Sequence, residues 1–405
     1  MVKGLLQALF PRLEVKEQYK IPAFYFLMYG SFAAWQSFFN VHLDRIGYSS
    51  VQIGLLNALF ISTSAVVVPL WGMIADRFGN NRIMLLLTSL CAVLVFFMGQ
   101  TVIFHWMLVL ILMISLFQQP VGAVMDGMTM GFVRTRPGFS YGNFRLWGSA
   151  GYAVTSLVVG HFAEKNSFVI FQISALLFLV LTVSNLLTLP EKPVTNRSLV
   201  SFSSFGIFFR NRRLLFFLFI IFFYGIGISP LHQFINLYFK DIGADNQLLG
   251  IAFFIQAGFE IPSFLLAVWL AKKVPARQII LFAMIVSTLR LVLYGFITVP
   301  EVAIWVGALH GVTIAFFLVG VVEYVQAQTP DHLRTTGQAL IWAFHFGAGV
   351  TVGNLILGYL RDSAGMLKAM HYLAVLAFLI FILAVFFFNR ERVKVTGTAT
   401  GMREV

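Results

Sequence analysis

The sequence predicts an all-α membrane protein in which twelve transmembrane helices form two pseudo-symmetric six-helix bundles. Three observations carry that expectation. The chain of 405 residues is 59% hydrophobic and only 11% charged, with 45 Phe, whereas soluble domains carry about a quarter charged residues. Apolar segments of roughly 20 residues or more, the length that crosses some 30 Å of hydrocarbon, recur along its whole length. The second half also repeats residues of the first at a nearly constant offset.

Residues 1–20 carry Lys3, Arg12, Lys16 and Lys20 and read as a cytoplasmic segment able to lie on the membrane surface. The apolar run GLLQALF after Lys3 is short and meets Pro11 and Arg12 without a small-residue cleavage site, which argues against a secretory signal. Spans are predicted near 21–41, 51–75, 83–101, 106–132, 140–162 and 167–189, making an N-terminal bundle at 21–189. Six more near 214–238, 246–271, 278–298, 301–328, 335–360 and 367–389 make a C-terminal bundle at 214–389. Between them 190–213, which opens on PEKPVTNRS, is polar and basic and reads as a cytoplasmic linker, and 390–405 reads as a cytoplasmic tail. The sequon Asn196-Arg197-Ser198 is discarded, because a cytoplasmic loop is not glycosylated. Pro69, Pro120, Pro230 and Pro262 are candidate kinks, and Gly347, Gly349, Gly353 and Gly358 permit close helix approach in the eleventh span.

Of 28 Lys and Arg, 21 fall in the N-terminal segment, alternate loops and tail, five in the other loops, and two, Arg145 and Arg290, inside spans. Basic residues accumulate in cytoplasmic loops, so both termini are expected in the cytoplasm and the chain in the plasma membrane, the inner membrane of a bacterium. The same loops account for the net charge of +12, and no nucleic-acid partner is expected. Cys91 is the only cysteine, which excludes an internal disulfide, a Cys-based metal site and a redox pair. No metal or cofactor is expected beyond a proton as coupling ion, and the expected partners of a monomer are lipid, proton and a small solute.

The repeat spans the linker. Asn40, Ile46, Gly47 and Gly54 return as Asn236, Ile242, Gly243 and Gly250, 196 residues on. Tyr29-Gly30 returns as Tyr224-Gly225, and Gly142 and Trp147 as Gly337 and Trp342, each 195 on. Such regularity points to homologous halves, and repeat-built transporters bind substrate near the midplane between them.

Charge inside a span costs at least a few kcal/mol, so buried ionisable residues face one another or a wet cavity. Asp126 lies about six residues before its span ends and Arg145 about five after the next begins, both roughly 8 to 10 Å from one surface; they can pair across adjacent helices. Glu260, Arg290 and His310 stand about 14, 12 and 9 residues into their spans, near the midplane. Glu260, in preference to Asp126, is expected to carry a coupling proton, loaded and unloaded as Arg290 moves. Either pair also reads as a fixed salt bridge. Gln36, Asn40, Asn57, Gln118, Gln119, His232, Gln233 and Asn236 either line a hydrophilic cavity or bond helix to helix. Trp35, Trp147 and Trp342 offer ring faces for stacking or simply pack.

Two motifs add a family likeness. The loop Gly72-Met-Ile-Ala-Asp76-Arg77-Phe-Gly79-Asn-Asn-Arg82 resembles the signature G-x-x-x-D-R-x-G-x-x-R of the major facilitator superfamily; its Asp76 can cap the next helix or pair with a basic neighbour, gating the cytoplasmic side. The corresponding loop at 271–277 has lost the pattern. Tyr141-Gly142-Asn-Phe-Arg145-Leu-Trp147-Gly148-Ser149 resembles the Y-G-x-x-R-x-W-G-S element of the branch containing lactose permease and the phenylpropionate transporter of enteric bacteria. Gln233, Asn236, Glu260, Arg290 and His310 follow in the order of that branch.

The resemblance implies that Asp126 (Glu in the branch), Arg145, Glu260, Arg290 and His310 contribute to substrate binding or proton coupling. Departures are equally specific. Tyr152 takes the place of a sugar-stacking Trp, Thr313 that of a proton-translocating carboxylate, and Ile228 and Leu231 those of two Asp. The expected function is proton-coupled uptake of a small polar solute, such as a sugar, nucleoside or aromatic acid, by alternating access. Export of drugs or metabolites on the same fold is the open alternative, with a non-transporting sensor behind it. An intramembrane hydrolase fails, because Gly148-Ser149-Ala150-Gly151 lacks the order Gly-x-Ser-Gly and a matching His; the chain is not expected to be an enzyme.

Overall fold

No water serves backbone groups inside a bilayer, so a crossing segment must satisfy its own N–H and C=O groups, as a helix does. The computed structural model describes residues 17–136, 139, 141–187, 211–329 and 334–400, and among these it is helical with no strand. The first half contributes α1 (Glu17–Arg45), α2 (Ser50–Phe78, interrupted at Thr63), α3 (Asn80–Met98), α4 (Phe104–Thr135), α5 (Tyr141–Lys165) and α6 (Val169–Leu187). The second contributes α7 (Arg212–Asp241), α8 (Asn246–Ala271), α9 (Ala276–Phe296), α10 (Pro300–Gln328), α11 (Arg334–Ile341, Trp342–Val350 and Thr351–Ala364) and α12 (Met366–Thr400). The expected surface segment, except for its last four residues, and the linker up to residue 210, with its sequon, lie outside the described residues.

Among the described residues ten helices are long and apolar enough to cross a membrane. The two that fall short are α1 and α5. With 29 and 25 residues they have the length, at 1.5 Å per residue, but they carry the polar side chains of the central chamber described below. Pro230 sits in a 3-10 turn, Ser229–Leu231, that interrupts α7, as a residue without an N–H would. Pro69, Pro120 and Pro262 lie inside helices that continue through them. The middle of α11, Trp342–Val350, winds as a π-helix, a form found mostly in short stretches at functional sites.

The halves repeat one another in packing as well as sequence. α1 packs on α5 and α6, and α3 on α4 and α6; correspondingly α7 packs on α11 and α12, and α9 on α10 and α12. Gly47 and Gly243 share a left-handed backbone, φ 91° and 93°, which only glycine adopts freely. Two residues further on, Ser49 and Asp245 each cap the next helix with a side-chain oxygen. Asn40 donates to its own repeat partner Asn236 at 3.3 Å, so equivalent positions meet on the axis relating the halves.

Across the axis α5 packs on α8, and α2 on α11. Backbones touch there: a Cβ on Gly160 would lie 2.5 Å from the Asn246 carbonyl oxygen, and one on Gly358 would lie 2.4 Å from that of Ser50. A polar latch closes this end of the molecule. Asp44 pairs with Lys240 and, at 2.8 Å, with Arg361, whose other arm bonds Asp241 at 2.6 Å. Asp362 accepts from the N–H groups of Ser50 and Val51 at 3.0 and 3.1 Å, and Glu164 from that of Asn246 at 2.8 Å. Each half therefore sets a carboxylate on the first turn of a helix in the other, where the helix dipole favours negative charge. Asp44, beyond the apolar part of α1, is partly buried; burial works against its charge, yet Arg361 and Lys240 outweigh it and hold its carboxyl below the usual carboxylate range.

Candidate functional site

Side chains one turn apart on a helix share a face, and α1 uses this to present Tyr25, Tyr29 and, further along, Gln36. With Arg145, Ser149 and Tyr152 of α5, residues Tyr29 and Gln36 line a chamber of about 300 Å³ between the halves. The second half contributes His232 and Gln233 from the break in α7, Gln256 and Glu260 from α8, and His310 from α10. The chamber is polar because its walls are the mid-length faces of the helices nearest the axis.

The expected partners of the buried charges are rearranged. Among the described residues neither Asp126 with Arg145 nor Glu260 with Arg290 forms an ion pair within 4.0 Å. The Asp126 carboxylate instead accepts from the phenols of Tyr25 at 2.7 Å and Tyr141 at 3.0 Å. Arg145 lies over the Tyr29 ring, 4.1 Å from its centroid, and Tyr29 stacks on Tyr25 at 6.4 Å. Two phenols and a ring face thus stand where a direct bridge was expected. Glu260 pairs with His310, Oε1 to Nε2 at 3.2 Å. Arg290 is completely buried and donates from Nη1 to Thr313 Oγ1 at 2.8 Å. It lines a separate cavity of about 10 Å³ together with His232, His310, His345 and Thr313.

Other expected site residues divide. Gln36, Tyr152, His232 and Gln233 reach the chamber; Tyr152 accepts a hydrogen bond from Ser37 at 3.0 Å. Asn40 and Asn236, expected to bind substrate, are seam residues. Asn40 donates to the Gln233 carbonyl at 2.6 Å and accepts from Asn57 at 3.1 Å, while Asn236 donates to the Ser37 carbonyl at 3.1 Å. Their polar atoms are spent joining the halves. Trp147 is also not a chamber residue: it is 50% exposed and lines an apolar groove with Tyr19, Pro22 and Phe26. Trp35 donates to Gln118 at 3.2 Å and Gln119 to the Phe60 carbonyl at 2.9 Å, helix to helix. Trp342 stacks on Phe346 at 4.5 Å.

The motif expected as a loop is mostly helical: Gly72, Asp76 and Arg77 lie in the last turns of α2 and Arg82 in the first turn of α3, with only Gly79 between the two helices, away from the chamber. Gly79 turns the chain with φ 94° and is itself the N-cap of α3, with no side-chain capping bond of its own. Sequence reasoning missed Tyr25, Tyr29, Gln256 and His345. The spacing of Tyr25 and Tyr29 on a span already carrying Gln36 was a usable signal, whereas His345 had none beyond being polar in an apolar segment.

A twelve-helix membrane protein with duplicated halves around a polar chamber is the architecture of a major facilitator transporter, and the comparisons agree. The model of the MFS_1 like family matches residues 18–392, and the chain belongs to that family of membrane transporters. It is 24% identical over 348 residues to maltose permease of Geobacillus stearothermophilus, covering 84% of this chain and 87% of that protein. It is 22% identical over 404 residues to lactose permease of Klebsiella oxytoca, covering 91% and 93%. The crystal structure of the nucleoside transporter NupG superimposes with a TM-score of 0.81 at 18% identity, covering 93% of this chain and 99% of that one.

Proposed function

We propose that the chain is a proton-coupled symporter that takes up a small polar solute, such as a sugar, nucleoside or aromatic acid, by alternating access. The observation that carries this reading is the chamber itself. It lies between repeated halves and sets a cation, Arg145, opposite the acid–base pair Glu260 and His310, whose Oε1 and Nε2 are 3.2 Å apart. The chamber offers donors and acceptors from both halves, so a polyhydroxylated solute bridges them and favours the arrangement in which both are in reach. The relatives are named for sugars, and the superimposing structure for nucleosides.

Glu260 takes the coupling proton, and the proton and His310 compete for its lone pairs. Loading Glu260 frees His310 toward the solute; release to the cytoplasm restores the pair. The latched end lies opposite the Lys- and Arg-rich loops, so with both termini in the cytoplasm it is the outer face, and the arrangement is inward-facing. The two halves then rock about the Asn40–Asn236 seam.

The test is uptake of a radiolabelled panel of sugars, nucleosides and aromatic acids by energised right-side-out vesicles, with and without a protonophore. At least one solute is expected to accumulate above its external concentration, and only while the pH gradient stands. Accumulation that ignores the gradient, or efflux of every solute that is moved, overturns the reading.

A further inference from the structure

Arg290 poses a question that the chamber does not answer. Its side chain has no exposed surface. Only Nη1 is bonded, to the neutral hydroxyl of Thr313, and Nε and Nη2 have no partner. No carboxylate lies within 4.0 Å among the described residues. An arginine keeps its charge at any accessible pH, and an uncompensated charge buried in low dielectric is strongly unfavourable.

Beside it is the cavity of about 10 Å³, bounded by Arg290, His232, His310, His345, Ser287 and Thr313, with room for one water-sized particle. His232 leaves Nε2 and His310 leaves Nδ1 buried without a partner; His345 donates from Nδ1 to the Ile221 carbonyl at 2.9 Å, so its unpartnered Nε2 is an acceptor in the neutral ring and takes no part in holding an anion. The cavity adjoins the main chamber, since Leu231, His232 and His310 line both. A water there would serve the ring nitrogens but leave the guanidinium charge unopposed. An anion opposes the charge and takes the two free N–H directions of the fork. Arg290 does lie over the Tyr294 ring, 5.8 Å from its centroid, but a ring face is no counter-ion; Arg145 differs in opening on the large chamber, where solvent shares its charge along with the closer Tyr29 face.

We infer that this cavity is a binding site for a small monovalent anionic group held by Arg290. The group is either a free inorganic anion of halide size or the carboxylate end of a solute reaching in from the chamber between His232 and His310. The inference concerns binding and stands whether or not transport is coupled to protons.

Thermal unfolding of the full chain in nanodiscs, at fixed pH and ionic strength, tests it. Sodium gluconate is replaced by chloride, bromide or nitrate in one arm, and by propionate or benzoate in the other. At about tenfold excess over Kd, bound anion raises Tm by roughly 2 °C. The rise is expected in the natural protein and absent in Arg290→Gln. It is absent too in Thr313→Glu, which keeps the guanidinium and sets a resident carboxylate within its reach. A response to halide or nitrate identifies a free anion, and a response to carboxylates alone identifies the solute's own group. No response in the natural protein, or an equal response in all three proteins, overturns the site.

Discussion

Glu260 is the one acidic side chain among the described residues on the chamber wall, whereas Asp126 stands behind two phenols. Glu260→Gln should therefore abolish accumulation driven by a pH gradient while leaving solute exchange across the membrane, because an amide keeps the hydrogen-bonding shape but cannot carry the proton. Counterflow of labelled solute separates the two; lost counterflow would make Glu260 a binding residue, and retained accumulation would remove it from coupling. Arg145→Lys should raise KM about tenfold, since a plate stacked on Tyr29 is replaced by a compact ammonium and about 1.4 kcal/mol of stacking and positioning is lost. An unchanged KM in the uptake assay would show that the Tyr29 stack does not position solute. The sequence revealed which charges were out of place in hydrocarbon, because that cost is independent of conformation. It did not reveal their partners. Asp126 and Arg145 share a depth, but tyrosines on α1 and α5 decide the pairing through rotamers that periodicity does not encode.

At the scale of helices, spans were legible to within a few residues because hydrocarbon thickness fixes their length, and Pro230 marked the break in α7. The π-helical turn of α11 was not legible, since Trp342–Val350 has no composition that distinguishes a π turn from an α one. The glycines of α11 were legible as sites of close approach and those of α5 and α8 were not, and only the fold distinguishes contacts within a half from contacts between halves. Gly349 faces Phe222 in its own half, while Gly160 and Gly250 face each other across the seam. This separation makes a clean prediction. Gly160→Val should leave each bundle folded but hold the outer ends of α5 and α8 apart, since its Cβ would meet the Asn246 carbonyl oxygen at 2.5 Å. Increased labelling of Leu157→Cys by an impermeant maleimide is the expected result; unchanged labelling would mean that this seam does not close the outer face.

For the whole molecule, the repeat was legible as matched letters, yet its best expression lies where letters differ. Asp44 and Arg45 align with Lys240 and Asp241, and the inverted charges allow Asp44 to bind its own counterpart across the axis. Two like charges there would repel. On the alternating access proposed above, the latch built on this inversion sets how readily the latched face opens. Arg361→Ala removes a guanidinium shared by Asp44 and Asp241, and a loss of about 2 kcal/mol shifts the balance of closed and open states roughly 30-fold. The response of the latch to pH follows from Asp44. Its carboxyl titrates below the usual range while the latch is closed, so the contribution is complete above about pH 4 and is lost only as pH falls through the lowered value. Burial works against the charge of Arg361, but its hydrogen bonds to Asp241 and Asp44 outweigh it and hold the guanidinium protonated. Paired labels on Val51→Cys and Tyr359→Cys, with Cys91 buried, read the outer separation of α2 and α11 directly. The separation should increase in the natural protein as pH falls below about 4, and should already be larger at neutral pH in Arg361→Ala. A separation that stays constant below about pH 4 would mean that Asp44 does not hold the latch.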